Sequence, residues 1–178
     1  MPPRFGIANS VTAVRAVLTL LVAAAVAVQP SSSVAWLVVF TAIAITALDG
    51  VDGWAARRFG ESSAFGARFD MEVDALLIMA LSVLAWRYDK AGAWVLASGL
   101  LRYVFVVSGW IWPWMERPLL PSRRRQTVCV IQIVSLIVVV SPIATAPLST
   151  IGAAMALAVL AWSFAVDTWW LYGAKQVA

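Results

Sequence analysis

Leu48-Asp49-Gly50-Val51-Asp52-Gly53-Trp54-Ala55-Ala56-Arg57, followed eight residues later by Gly66, Asp70 and Asp74, decides how this chain is read. Asp49 and Asp52 stand three apart, and Gly53 and Ala56 continue the same helical stripe. Gly66, Asp70 and Asp74 are spaced by four, again along one helix face. Two such helices joined by a short loop are antiparallel neighbours, so their acidic faces can meet, with Gly53, Ala56 and Gly66 leaving room beside them. Four carboxylates converging in this way repel one another strongly without a cation among them. Hard oxygen ligands favour magnesium, manganese or calcium. Arg57, next to the cluster, suits the diphosphate of a ligand. A solvated or capping acidic pair at a helix end accounts for two aspartates, but not for four in two matched stripes.

The surroundings of this stretch are apolar. Hydrophobic residues make up 62% of the 178 and charged residues 12%, about half the charge a soluble domain uses to solvate its surface, roughly 25%. Mean hydropathy is +0.88. The solvent is therefore lipid, and lipid leaves no water to satisfy loose backbone groups, so the spans are expected to be helices. The length suits a single domain, 1–178. The lone cysteine, Cys129, forms no internal disulfide, and the absence of histidine excludes His-based triads, His zinc sites and His acid–base chemistry. Chemistry falls to carboxylates, arginines, hydroxyls and a bound metal.

A span needs roughly 20 apolar residues to cross about 30 Å of hydrocarbon. The pattern predicts an all-α integral membrane protein with six transmembrane helices at Asn9–Val28, Val34–Arg58, Ala64–Trp86, Ala91–Trp114, Arg123–Val140 and Leu148–Tyr172. Punctuation falls between them at Gln29 to Ser33, Gly60 to Ser63, Asp89-Lys90, Pro118 to Ser122, and Ser141-Pro142 with Pro147. The first stretch is read as a span and not a cleaved signal, because polar residues recur at Asn9, Thr12 and Arg15. With both termini cytoplasmic, the inner side receives Arg4, Arg15, Arg57, Arg58, Arg68, Arg117, Arg123, Arg124, Arg125 and Lys175, and the outer side only Arg87 and Lys90. That imbalance is the one the positive-inside rule expects, and tryptophans near the span ends fit an interfacial belt. Inner or cell membrane placement follows, with the polar cavity facing the cytoplasm.

The aspartate stretch resembles the hallmark of the CDP-alcohol phosphotransferases, D-x-x-D-G-x-x-A-R, eight residues, then G-x-x-x-D-x-x-x-D. Asp49, Asp52, Gly53, Ala56, Arg57, Gly66, Asp70 and Asp74 match every fixed position across 26 residues. Upstream, Asn9-Ser10-Val11-Thr12-Ala13-Val14-Arg15 looks like the family's P-N-x-x-T-x-x-R opening, with Ala8 where proline is usual. The resemblance implies a cytoplasm-facing cavity, a homodimer and two divalent metal ions, Mg²⁺ or Mn²⁺. By residue matching it makes Asp49, Asp52 and Asp70 metal ligands, and Asp74 both a ligand and the catalytic base. Gly53, Ala56 and Arg57 would hold the CDP donor, with Gly66 allowing close approach and Asn9 and Thr12 on the nucleotide side.

The activity so implied is transfer of a phosphatidyl-type group from a CDP-lipid such as CDP-diacylglycerol to a small alcohol, with release of CMP, in phospholipid biosynthesis. Arg68, Arg102, Arg124 and Arg125 are candidates for binding a phosphate-bearing acceptor, such as glycerol phosphate or inositol phosphate. Arg123 reads as a positive-inside anchor. Arg102 stands out because a charge inside an apolar span needs a partner. Arg125 and Thr127 approximate a basic-Thr pair of the family's acceptor pocket, separated here by Gln126. Glu72, opposite Asp70 and Asp74 around the helix, is open to the acceptor, a dimer partner or interfacial water, and Asp167 reads as interfacial. Two alternatives use the same residues: transfer from a soluble CDP-alcohol to diacylglycerol, and a non-enzymatic divalent-cation carrier. A carrier would be expected to show repeated halves, and the chain has none. Membrane lipids are expected partners and nucleic acid is not.

Overall fold

The computed structural model describes residues 7–59, 64–117, 119 and 122–176, with side chains left undescribed at 7–9, 52–59, 64–65 and 174–176. Among the described residues the chain is all helix, without strands: α1 (Ile7–Ala24), α2 (Ser32–Phe59), α3 (Ala64–Arg87), α4 (Ala97–Ile111), α5 (Arg123–Val140) and α6 (Leu148–Gln176). Short 3₁₀ turns extend α1 over Ala25–Ala27, lead into α4 over Ala93–Leu96, and follow it over Pro113–Glu116.

Four helical segments are long and apolar enough to cross a membrane: Ser10–Ala27, Ser32–Val51, Ala93–Ile111 and Leu148–Gly173. The other two expected spans form helices of 24 and 18 residues, α3 and α5, but each carries too many charges to read as a plain apolar span. In α3 these are Arg68, Asp70, Glu72, Asp74 and Arg87; in α5 they are the three arginines of its first turn. The two helices poorest in span character are thus the ones that carry Asp70, Asp74 and the arginine run.

Helix α3 is the centre of the bundle, packing against α1, α4 and α5. Its Leu77, Leu81, Leu84 and Ala85 are fully buried, joined in one core by Val22 of α1, Ile45 and Ala42 of α2, and Leu136 and Val140 of α5. The helix face that carries Asp70 and Asp74 near its start runs on into this apolar core. Helix α4 packs close to α3 at Gly99, where a Cβ would lie 2.7 Å from the Met79 Cα. Glycine is required by that approach, since backbone cannot step aside as a flexible side chain would.

The predicted fourth span, Ala91–Trp114, differs most from the structure. Proline disfavours helical backbone at the residue before it, and Trp112, preceding Pro113, is extended at φ −117° and ψ 96°. Regular helix therefore stops at Ile111. The same effect ends α5 before Pro142, with Ser141 at φ −60° and ψ 146°. After α3, Asp89 takes a left-handed φ of 53°, and the Lys90 amide bonds back to the Ala85 carbonyl at 3.0 Å, a Schellman-type stop. Lys90 then ties this turn to the α5–α6 connection: its Nζ donates to the Ala144 carbonyl, and the Ser149 hydroxyl donates to the Lys90 carbonyl at 2.8 Å. These bonds gather one end of the bundle, opposite the carboxylates.

Candidate active site

Three of the four predicted aspartates come together. Asp49, in the second half of α2, and Asp70 and Asp74, in the second and third turns of α3, each turn a carboxylate oxygen to a common point, all within 4.8 Å of one another. Two features create this meeting: α1 packs against both α2 and α3, and the four-residue spacing stacks Asp70 under Asp74. The burial is graded, with Asp74 19% exposed against 32% and 36% for Asp49 and Asp70. Asp52, Gly53, Ala56 and Arg57 lie on the last turns of α2, and Asn9 on the first turn of α1, but their side chains fall outside the described residues.

The group that draws the carboxylates together is Arg15 of α1. It is 1% exposed, and its guanidinium reaches Asp49 at 2.8 Å, Asp70, and Asp74 at 2.6 Å. One nitrogen, Nη1, serves Asp49 and Asp70, and Nη2 donates to Asp74. Sequence reading assigned Arg15 to the orientation charges and to a motif position, and gave it no role at the site. The signal was present, because a cation inside an apolar span needs a partner. Thr12, 3% exposed, lies three residues earlier on the same face of α1. Gly66 is half-buried one turn before Asp70.

Helix α5 closes another side. The Cys129 Sγ lies 3.8 Å from Asp74 Oδ2, so the thiol donates weakly to the carboxylate. Arg125 stands one helical turn before Cys129 on the same face, and Gln132 lies nearly a turn beyond. Gln132 is 1% exposed, with neither amide atom partnered among the described residues. The stripe Arg125, Cys129, Gln132 is thus a polar seam on an otherwise apolar helix.

The remaining arginines divide between two places. Arg102 pairs with Glu72 on α3, on the side of that helix away from Asp70 and Asp74, which gives both residues a partner separate from the aspartate group. Arg68 is exposed. Arg124 turns onto α6, where Nη1 donates to the Ser163 carbonyl at 2.7 Å and hydroxyl at 3.0 Å, and Nη2 to Asp167. Its guanidinium carbon also sits 5.6 Å from the centre of the Trp162 ring, a cation–π distance. Arg125 reaches the same Asp167 oxygen at 3.3 Å. Asp167, expected at an interface, is 7% exposed and clamps the two arginines to α6.

The matching family model covers residues 5–170, described as CDP-alcohol phosphatidyltransferase. The chain belongs to that family. No curated protein and no solved structure matches it significantly. Membership makes this CDP-alcohol phosphatidyltransferase a transferase of phospholipid synthesis that moves a phosphatidyl group in CDP-alcohol chemistry. The matched span contains the aspartate group, Arg15 and the Arg124–Asp167 clamp.

The family uses divalent metal, and the chemistry of the donor set fits such an ion. All three gathered ligands are hard carboxylate oxygens, the kind that magnesium, manganese and calcium prefer over nitrogen or sulfur. Oxygens on opposite sides of a magnesium ion are about 4 Å apart, so the 4.8 Å limit of this cluster leaves only small side-chain shifts to bring them into range. Arg15 also brings positive charge to these three carboxylates.

Proposed function

We propose that this enzyme transfers a phosphatidyl group from CDP-diacylglycerol or a similar CDP-lipid to a phosphorylated polyol such as glycerol phosphate or inositol phosphate, releasing CMP. The single observation that carries the proposal is the convergence of Asp49, Asp70 and Asp74 from two helices, inside the segment matched by the family. Asp49, Asp52, Asp70 and Asp74 would hold two divalent ions, Mg²⁺ or Mn²⁺. When bound, the ions would neutralise the diphosphate and align the oxygens around phosphorus.

The chain's own groups carry the rest. Arg57 binds the diphosphate through a charge-assisted fork, with Gly53, Ala56, Gly66, Asn9 and Thr12 around the nucleotide. Asp74, the most sheltered of the three gathered carboxylates, accepts the proton of the acceptor hydroxyl. That role requires hydrogen-bond reach and an ionised carboxylate. The acceptor oxygen attacks the phosphorus that bears the lipid, a phosphorus–oxygen bond forms, and the bond to CMP breaks. Arg125 faces the same side of α5 as Cys129, which touches Asp74, and is the basic residue best placed for the acceptor's phosphate. Arg68, exposed near the start of α3, is a further candidate for the acceptor side, whereas Arg102 is held by Glu72 and Arg124 by Ser163 and Asp167 of α6. The protein forms one domain of six spans with a cytoplasm-facing cavity, both termini inside, and works as a homodimer.

The test is a screen of purified protein with CDP-diacylglycerol against serine, glycerol phosphate, inositol, inositol phosphate and choline. The proposal expects CMP release and a new phospholipid only with a phosphorylated polyol. Turnover with serine or inositol alone would remove the phosphate-acceptor reading and leave the family chemistry intact.

A further inference from the structure

Arg15 holds an unusual position for a cation: 1% exposed, between three carboxylates from two other helices. Without it, Asp49, Asp70 and Asp74 would have to bring three negative charges within a few ångströms in a half-buried site, an arrangement that drives side chains apart or forces one to take up a proton. With it, α2 at Asp49 and the start of α3 are drawn onto α1 before any ligand arrives. Yet Arg15 is not fully satisfied there. Its Nε is buried with no hydrogen-bond partner among the described residues, and an unmet buried donor has a desolvation cost. The guanidinium also pairs with the same three carboxylates that form the candidate metal cluster.

From this we infer that Arg15 is a resident counter-cation that divalent metal displaces, so that metal loading is an exchange of guanidinium for ion at Asp49, Asp70 and Asp74. The inference rests on the metal-binding reading above. Arg15 is here a positioning residue: it holds the carboxylates in register while the site is empty of metal and yields them when the ion enters. Two consequences follow from one contact set. The metal-free protein is stabilised by Arg15, and the apparent affinity for metal is lowered by it, because part of the ion's binding energy is spent in breaking three ion pairs.

The test uses full-length protein in detergent, stripped by chelator, with Mn²⁺ alone as probe. Binding is followed by electron paramagnetic resonance and thermal stability is measured with and without the ion. Arg15→Gln should tighten the apparent Mn²⁺ Kd at least about tenfold, because a competing unit charge in direct contact with the ligands is gone. Its metal-free Tm should fall below that of the parent, and saturating Mn²⁺ should recover most of the gap. Arg15→Lys preserves the charge but lacks the fork that spans several carboxylates. It serves if the glutamine variant does not fold, and its Kd should also be lower than the parent's, by less than with glutamine. An unchanged or weaker Mn²⁺ Kd in the variant that folds would overturn the exchange, since Arg15 would then be supporting the ligands rather than competing for them. Failure of the parent protein to bind Mn²⁺ would overturn the metal site itself, and the exchange with it.

Discussion

Asp74→Asn separates chemistry from structure in this site. Asparagine keeps the size of the side chain and an oxygen that can still accept from Arg15, 2.6 Å away, but it cannot take up the acceptor's proton. Loss of a general base lowers turnover by about 10²–10⁴-fold, a barrier increase of about 3–5.5 kcal/mol. The structural cost is far smaller. Converting a charge-assisted hydrogen bond into a neutral one forfeits about 1 kcal/mol, and relief of repulsion from Asp49 and Asp70 offsets part of it. A net change within about 1 kcal/mol moves the Tm of a chain this size by no more than about 4 °C. Single-turnover CMP release at saturating magnesium, with donor affinity and Tm measured on the same samples, gives all three quantities. Donor binding should survive better than in Asp49→Asn or Asp52→Asn, whose lost charges act directly on the ions that neutralise the diphosphate. Near-normal turnover would refute the base assignment. Equal collapse of donor binding in all three variants would make Asp74 a ligand and place the proton acceptor elsewhere.

Three further outcomes are expected. Arg57→Ala weakens donor binding and Arg57→Lys recovers part of it, because an ammonium lacks the planar fork; donor titration checks this. Arg125→Ala raises the acceptor KM more than the donor KM. Arg124→Ala, which removes two hydrogen bonds to Ser163 and one to Asp167, instead lowers stability by about 1–3 kcal/mol, seen as a fall in Tm. Gly99→Ala inserts a methyl 2.7 Å from the Met79 Cα and costs about 1–3 kcal/mol through overpacking; a Tm equal to that of the parent would show that α3 and α4 are not locked together there.

What was legible in the sequence was whatever lies along one helix or across one short loop. Spacing alone put Asp70 and Asp74 on one face of α3, and the pattern of two acidic stripes led to the expectation that Asp49 meets them. The contacts that escaped join helices distant in sequence. Arg15 meets Asp70 and Asp74 across 55 and 59 residues, and no periodicity within α1 names that partner, although its cost in an apolar helix demanded one. Arg102 raised the same demand, and the structure answers it with Glu72, whose partner the sequence left open. Asp167 read as interfacial because it lies near the end of a long apolar helix. Packing of α5 against α6 buries it and turns it into the anchor of Arg124 and Arg125. The fourth span lost its C-terminal end to a rule that was readable, the extended backbone required before Pro113, but apolar composition concealed it, since Trp112 and Trp114 extend the hydrophobic run past the break.

The most direct test of the central claim, that the gathered aspartates perform metal-assisted transfer from a CDP-lipid, is CMP release from CDP-diacylglycerol through a cycle of chelation and metal return. With a phosphorylated polyol as acceptor, chelation should abolish release, and added magnesium or manganese should restore it in the parent protein but not in Asp49→Asn or Asp70→Asn. Full CMP release after thorough chelation, or restoration in those variants to the parent's rate, would contradict the account.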